Sequence, residues 1–178
     1  MRKLFWQMMV SLDGYSEGPN GELDWHVVDA DFLRYVQEML ASIGAMLLGR
    51  KTYRFFADYW PTATNPEAAR MNALPKIVFS RTLANVEWSN SRLVEGDVAE
   101  EVAALKHCPG GDLAVFGSAN LAATLMRLDL IDEYRIFVAP VVLGAGKPMF
   151  ADLGNRKPLT LAKVETLGSG VVALTYRP

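Results

Sequence analysis

The sequence predicts an α/β fold on a mostly parallel sheet that finishes in an antiparallel edge. Three observations carry that expectation. Apolar runs of strand length alternate with helix-length segments from Lys3 to about Leu128. The first run, Lys3–Ser11, is mostly apolar, as strands covered on both faces are. Beyond Glu133 three more strand-like runs follow with no helix between them, the pattern of antiparallel strands closing a sheet.

Taken in order, Lys3–Ser11 is a buried strand ended by the turn Asp13-Gly14, and Ser16–Gly21 is a Gly/Pro/Asn loop. Asp29 is placed to cap a helix that carries Phe32, Val36, Met39 and Leu40 on one face. Ala45–Leu48, between Gly44 and Gly49, is too short for a helix and suits a central strand. Thr52–Tyr59 has the aromatic spacing of a short helix, which Pro61 ends. Lys76–Ser80 and Val86–Trp88 are expected as strands, Val98–His107 as a helix started near Asp97, and Leu113–Phe116 as a strand. A helix from Ala119 to about Leu128 follows, then strands at Glu133–Val142, Leu159–Thr166 and Val171–Tyr176. No repeat, low-complexity tract or linker divides residues 1–178, so one domain is expected.

Composition narrows the function classes. A formal net charge of −2 and the lack of any Lys/Arg run argue against nucleic acid as a partner. No stretch approaches the roughly 20 apolar residues of a membrane span, and Met1–Val10 is too short for a secretion signal. The single cysteine, Cys108, cannot form an internal disulfide; it is expected to be a small, half-buried residue, in a reducing cytoplasm. His26 and His107 stand far apart with no cysteine or carboxylate at ligand spacing, so no metal site is expected.

Three strand-to-helix junctions carry residues suited to phosphate. In Gly49-Arg50-Lys51-Thr52, a helix start offers backbone N–H groups, glycine allows close approach, and the side chains add a hydroxyl and cations. Ser80-Arg81 pairs a hydroxyl with a forked cation, which suits a terminal phosphate. Gly117-Ser118-Ala119-Asn120 enters a helix through small residues, which suits a pyrophosphate. Each alone is also what an ordinary turn looks like; together, on strands of one sheet, they favour a long ligand with several phosphates along its carboxyl edge. A triphosphatase loop is excluded, because the residues between Gly44 and Gly49 are apolar and Lys51 stands one position late. The G-x-G-x-x-G dinucleotide fingerprint is absent as well.

Ser11-Leu12-Asp13-Gly14, Asp24-Trp25, Gly49-Arg50-Lys51-Thr52-Tyr53, the Gly117-Ser118 turn, Leu130-Ile131-Asp132-Glu133 and Val138–Gly146 resemble the dihydrofolate reductase superfamily. The likeness is nearer to its bacterial branch, which includes the reductase domain of the bifunctional riboflavin-biosynthesis deaminase–reductase. It runs from Lys3 to about Tyr176. The resemblance implies a dihydrofolate-reductase-like three-layer sandwich, an eight-stranded mixed sheet between helices, with NADPH across its edge. It implies that Arg50, Lys51 and Thr52 hold cofactor phosphates and that Ser80 and Arg81 face the 2′-phosphate. Gly117, Ser118, Ala119 and Asn120 would receive the pyrophosphate. Nicotinamide would lie between Met8–Gly14 and Val138–Gly144, against Met9, Val141, Val142, Leu143 and Gly144.

The folate enzyme carries a carboxylate early in its first helix; here the candidate is Asp31, with Asp29 beside it. The spacing differs from the folate enzyme and the Pro-Trp pair of its mobile loop is missing, so folate is not the expected substrate. Asp31 is equally placed to be a cap or a surface charge, and Asp13 to be a turn aspartate bonded to its own backbone. Among the aromatics Tyr53, Phe55, Phe56, Tyr59 and Trp60, helix packing competes with a role in stacking a planar substrate. Trp25 and Trp60, both near loops, are the substrate-binding candidates. The expectation is thus an NADPH-dependent reductase of a small pteridine- or aminopyrimidine-like heterocycle, working as a homodimer, with Asp31 or a water held by Asp13 delivering the proton. The alternative is a non-catalytic dinucleotide-binding or dimeric sensor module that kept the fold.

Overall fold

A computed structural model describes residues 1–117, 119–151 and 153–178. β1 (Leu4–Ser11) is buried at every position, and a turn at Gly14 leads into the short β2 (Tyr15–Glu17). α1 (Ala30–Ser42) starts where Asp29 caps it, its carboxylate accepting the Phe32 amide at 2.8 Å. β3 (Ile43–Gly49) passes directly into α2 (Arg50–Tyr59), followed by α3 (Ala68–Ala73), β4 (Lys76–Phe79) and β5 (Ser91–Val94). α4 (Val98–His107) is capped by Asp97, which accepts the amides of Ala99 and Glu100. β6 (Asp112–Phe116), α5 (Ala119–Arg127), β7 (Glu133–Ala139), β8 (Lys147–Pro148), β9 (Thr160–Thr166) and β10 (Val172–Arg177) complete the chain.

The main sheet has eight strands in the order β5-β4-β3-β6-β1-β7-β10-β9; β2 and β8 form a separate pair. From β5 to β7 all neighbours run parallel, and β10 and β9 add the antiparallel edge. Alternation along β1 explains the layers. Leu4, Trp6, Met8 and Val10 pack with Val102 of α4 and Leu125 of α5, whereas Phe5 packs with residues of α1, α2 and α3 on the other face. Trp6 and Phe5 are both 0% exposed, so truncation of either to alanine is expected to cost about 3–5 kcal/mol. The result is the three-layer helix–sheet–helix sandwich.

One expected strand is not formed. At Val86–Trp88 the amides of Glu87 and Trp88 donate to the Tyr53 hydroxyl at 2.8 and 3.1 Å instead of to a strand. The Trp88 indole is buried and donates to Asn72 Oδ1 at 2.6 Å, and Ser91 N then bonds back to the Trp88 carbonyl. The chain therefore pairs only from Ser91, three residues after Trp88, with Ser91–Val94 beside Lys76–Phe79. Cys108, expected half-buried, is exposed just after α4. Among the described residues no helix is long and apolar enough to cross a membrane.

Candidate active site

The carboxyl edge of the sheet is stepped at its centre. Pairing of β1 with β6 stops at Gln7 opposite Phe116, while pairing with β7 continues to Ser11 opposite Ala139. At about 3.3 Å per residue, Met8–Ser11 therefore overhangs the end of β6 by ~13 Å. The connection from β1 through α1 moves to one side of the sheet, and that from β6 through α5 moves to the other. Such a reversal of strand order leaves a crevice outside the carboxyl ends, where open α/β sheets receive ligands.

The three glycine- and hydroxyl-bearing junctions meet at this edge. Gly49 takes the cap position of α2 with extended backbone and no side-chain cap bond. Arg50 is exposed and its Nη1 donates to Thr82 Oγ1 at 2.6 Å, tying α2 to the turn after β4. In that turn Ser80 Oγ accepts the amides of Thr82 and Leu83 at 3.2 and 3.1 Å, and Arg81 stands exposed. Gly117 has φ +51°, and a β-carbon there would lie 3.3 Å from Thr52 Oγ1, so the third junction rests on the first. The Trp6 indole donates to the Gly117 carbonyl at 2.9 Å and fixes it from below. Lys51 and Asn120 are exposed and Ala119 is buried. Ser118 lies outside the described residues.

Asp13 is bonded both within its own turn, to the Ser11 hydroxyl and its own backbone, and across to the strip that follows β7. Its two carboxylate oxygens accept the amides of Leu143 and Gly144 at 3.1 and 2.8 Å. A hydrogen bond from the Ser11 hydroxyl, then these amides, hold the carboxyl below the usual carboxylate range. The Leu12 amide adds a bond to the Val141 carbonyl at 2.7 Å, so the strip Val141–Gly144 is fastened to the end of β1. Val141 packs with Met9 and Phe137.

Asp31 accepts the Gly168 amide at 2.9 Å and pairs with Arg34 at 2.8 Å. Asp29 accepts the Ser169 amide at 2.9 Å in addition to the Phe32 amide, and these bonds, the Phe32 amide first, lower its pKa. Both aspartates thus pin the β9–β10 turn to the start of α1. Trp25 is half-buried against the cluster of Met9 and Phe137, with His26 edge-on at 4.5 Å. Trp60 packs elsewhere, on Phe56 and Tyr59 in the cluster that contains Phe116. The two tryptophans therefore belong to two different apolar clusters.

Two groups carried little signal in the sequence. His26 has a buried Nε2 with no partner among the described residues, and burial lowers its pKa. Gln7 has a sealed, unpartnered side-chain oxygen at the step of the sheet; its only trace is one amide in an otherwise apolar run. A separate groove of about 460 Å³ opens between α1 and the β9–β10 edge. Arg135 and Arg177 share Glu133, Lys163 pairs with Glu165, and Glu38 adds a further carboxylate, so the groove carries no excess of cations for a phosphate.

Relatives sharpen the picture. YyaP of Bacillus subtilis (strain 168) is 36% identical over 180 residues, covering 98% of this chain and 94% of its own. A putative riboflavin biosynthesis protein from Shewanella sp. PV-4 superposes with a TM-score of 0.79 at 24% identity, over 98% of each chain. The diaminohydroxyphosphoribosylaminopyrimidine deaminase/5-amino-6-(5-phosphoribosylamino)uracil reductase of Thermotoga maritima superposes at 0.73 with 17% identity, over 99% of this chain and 56% of that one. With residues 2–173 matching the family described as RibD C-terminal domain, on a sheet and cleft of this geometry, the chain belongs to that family.

Proposed function

We propose that the chain is an NADPH-dependent reductase that passes a hydride to a small pyrimidine- or pteridine-like heterocycle. The observation that carries this reading is the interlocking of three junctions along one sheet edge: Arg50 with Thr82, and Thr52 with Gly117. The residues fit the cofactor. Arg50, Lys51, Thr52 and the Gly49 helix start would hold phosphates, and Ser80 and Arg81 the 2′-phosphate. The small-residue turn Gly117, Ser118, Ala119 and Asn120 would take the pyrophosphate. Gly117 matters because a side chain there would fill the cradle against Thr52.

When bound, reduced nicotinamide supplies the hydride to an electrophilic ring or imine carbon, whose nitrogen then needs one proton. This chain's own contribution is position and dryness. Met9, Val141 and Leu143 wall the reaction path, Gly144 closes it through Asp13, and Trp25 and Trp60 flank the ring. Asp31, or a water held by Asp13, delivers the proton. A homodimer in a reducing cytoplasm is part of the same reading.

Titration with NADPH tests it: tryptophan quenching and a thermal upshift are expected, followed by oxidation of NADPH with an aminopyrimidine or pterin acceptor. Absence of binding would overturn it. A second reading is favoured by one observation, that Asp13 and Asp31 both accept backbone amides as structural clamps. Tight NADPH binding with no turnover on any acceptor would select that reading, a dinucleotide-binding module.

A further inference from the structure

Gln7 lies on β1 between Phe5 and Met9, on the sheet face covered by α1 and α2. Across the strands its neighbours are Phe116 of β6 and Arg135 of β7. Phe116 belongs to the cluster under α2, and Met9 and Phe137, one step nearer the carboxyl edge, to the cluster under α1. Gln7 thus occupies the row at which β6 stops, the floor of the central step.

Gln7 is 8% exposed, and its carboxamide oxygen is buried with no hydrogen-bond partner among the described residues. The nearest cation by register does not serve it: the Arg135 guanidinium lies over the Phe5 ring at 3.7 Å and donates to Glu133 at 2.7 Å. Nor is this a frayed strand end, because the Gln7 carbonyl accepts the Gly117 amide at 3.3 Å. A buried polar atom without a partner destabilises the fold, and an apolar residue of the same length would avoid that. A polar group left without a partner in the row at which the sheet steps is accounted for by a ligand that completes it.

We infer that Gln7 reads the ring that enters the step: its carboxamide pairs with an amide edge, an N–H beside a C=O. The inference rests on the reductase reading and deepens it. Both the carboxamide of nicotinamide and the lactam of a pyrimidine or pterin present that edge. A site that hydrogen-bonds such a group also rejects rings lacking it, more strongly than an apolar wall would.

Gln7→Met, which keeps length and removes the amide, tests this by three measurements. The ligand-free variant should melt about 2–4 °C higher than the wild type, since an orphan polar atom is gone. One affinity should weaken by roughly tenfold: a higher Kd for NADPH marks the nicotinamide carboxamide as the partner, and an unchanged Kd with a raised acceptor KM marks the acceptor. A lower melting temperature, or both affinities within twofold of wild type, overturns the inference. If the wild type binds no NADPH the reductase reading fails separately. Uracil and nicotinamide then serve as bare amide probes, and equal binding to wild type and Gln7→Met overturns the role of Gln7.

Discussion

Thr52 and Gly117 sit side by side at the ends of the paired strands β3 and β6, so that a β-carbon built on Gly117 would lie 3.3 Å from Thr52 Oγ1 and 3.7 Å from its methyl carbon. The β3–α2 and β6–α5 junctions are therefore one surface. Gly117 also sits at φ +51°, a region that a side chain enters at about 1–2 kcal/mol. Gly117→Ala is expected to lower the melting temperature by about 2–8 °C and to weaken NADPH by more than the fold loses elsewhere. Calorimetry with and without NADPH checks this, and wild-type affinity in the variant would move the pyrophosphate away from this turn.

Arg81 and Arg50 are exposed cations on neighbouring junctions; among the described residues Arg50 has a partner in the turn opposite, Thr82, and none is seen for Arg81. Arg81→Glu should weaken NADPH relative to NADH by about 1.5–3 kcal/mol, the scale of a charged hydrogen bond. Arg50→Glu should weaken both, because it also releases the β4 turn. Paired titrations with the two coenzymes decide it: equal losses for Arg81→Glu would remove the 2′-phosphate from that residue.

The uneven legibility of the molecule follows from the range of the forces involved. Asp29 and Asp97 were readable as caps because capping is settled within three residues, and both helices begin where those residues stand. The parallel core was readable because Ala45–Leu48 and Leu113–Phe116 are too short and too apolar to be anything but central strands. Val86–Trp88 misled because the partner that takes its amides, Tyr53, is more than thirty residues away and on a helix. The same limit applies at the site. The glycine and hydroxyl junctions are local and visible, whereas the clamp from Asp13 to Gly144 spans 131 positions and only the folded register discloses it. Gln7 went unread, because only the folded sheet leaves its side-chain oxygen without a partner among the described residues.

Asp13 fastens the Val141–Gly144 strip and Asp31 the β9–β10 turn, and their asparagine variants should separate. Asp13→Asn loses one of two acceptor oxygens facing Leu143 and Gly144. Faster hydrogen exchange at those two amides and weaker NADPH binding are expected. Because the Asp13 carboxyl is held below its ordinary range, the clamp is present above the unfolded pKa and is lost as pH falls through the folded one. Asp31→Asn keeps an oxygen for the Gly168 amide. NADPH affinity should be unchanged and turnover should fall by about 10² if this residue delivers the proton. Unchanged turnover would pass the role to water at Asp13.

Lys76 supplies a prediction independent of any ligand. It is 0% exposed, donates to the carbonyls of Asn72 and Ser89 at 2.7 and 2.9 Å, and lies 4.1 Å from the centre of the Trp88 ring. Burial pushes its pKa down to about 8. Below that pH the folded and unfolded chains both hold the proton, and the full penalty of a buried charge is present. As pH rises from about 8 toward the unfolded value near 10.4, the folded chain has released a proton that the unfolded chain keeps, so unfolding free energy increases. Tyr35 and Tyr134, whose phenols burial pushes up, act with the opposite sign once unfolded tyrosines ionise near pH 10. The clean window is therefore roughly pH 8 to 9.5, over which denaturant titrations should register a gain of about 1–2 kcal/mol. In Lys76→Met the curve should be flat across the same window. A wild-type stability that stays level or declines there would mean that the two carbonyls and the indole ring hold the ammonium charged, against the penalty of its burial.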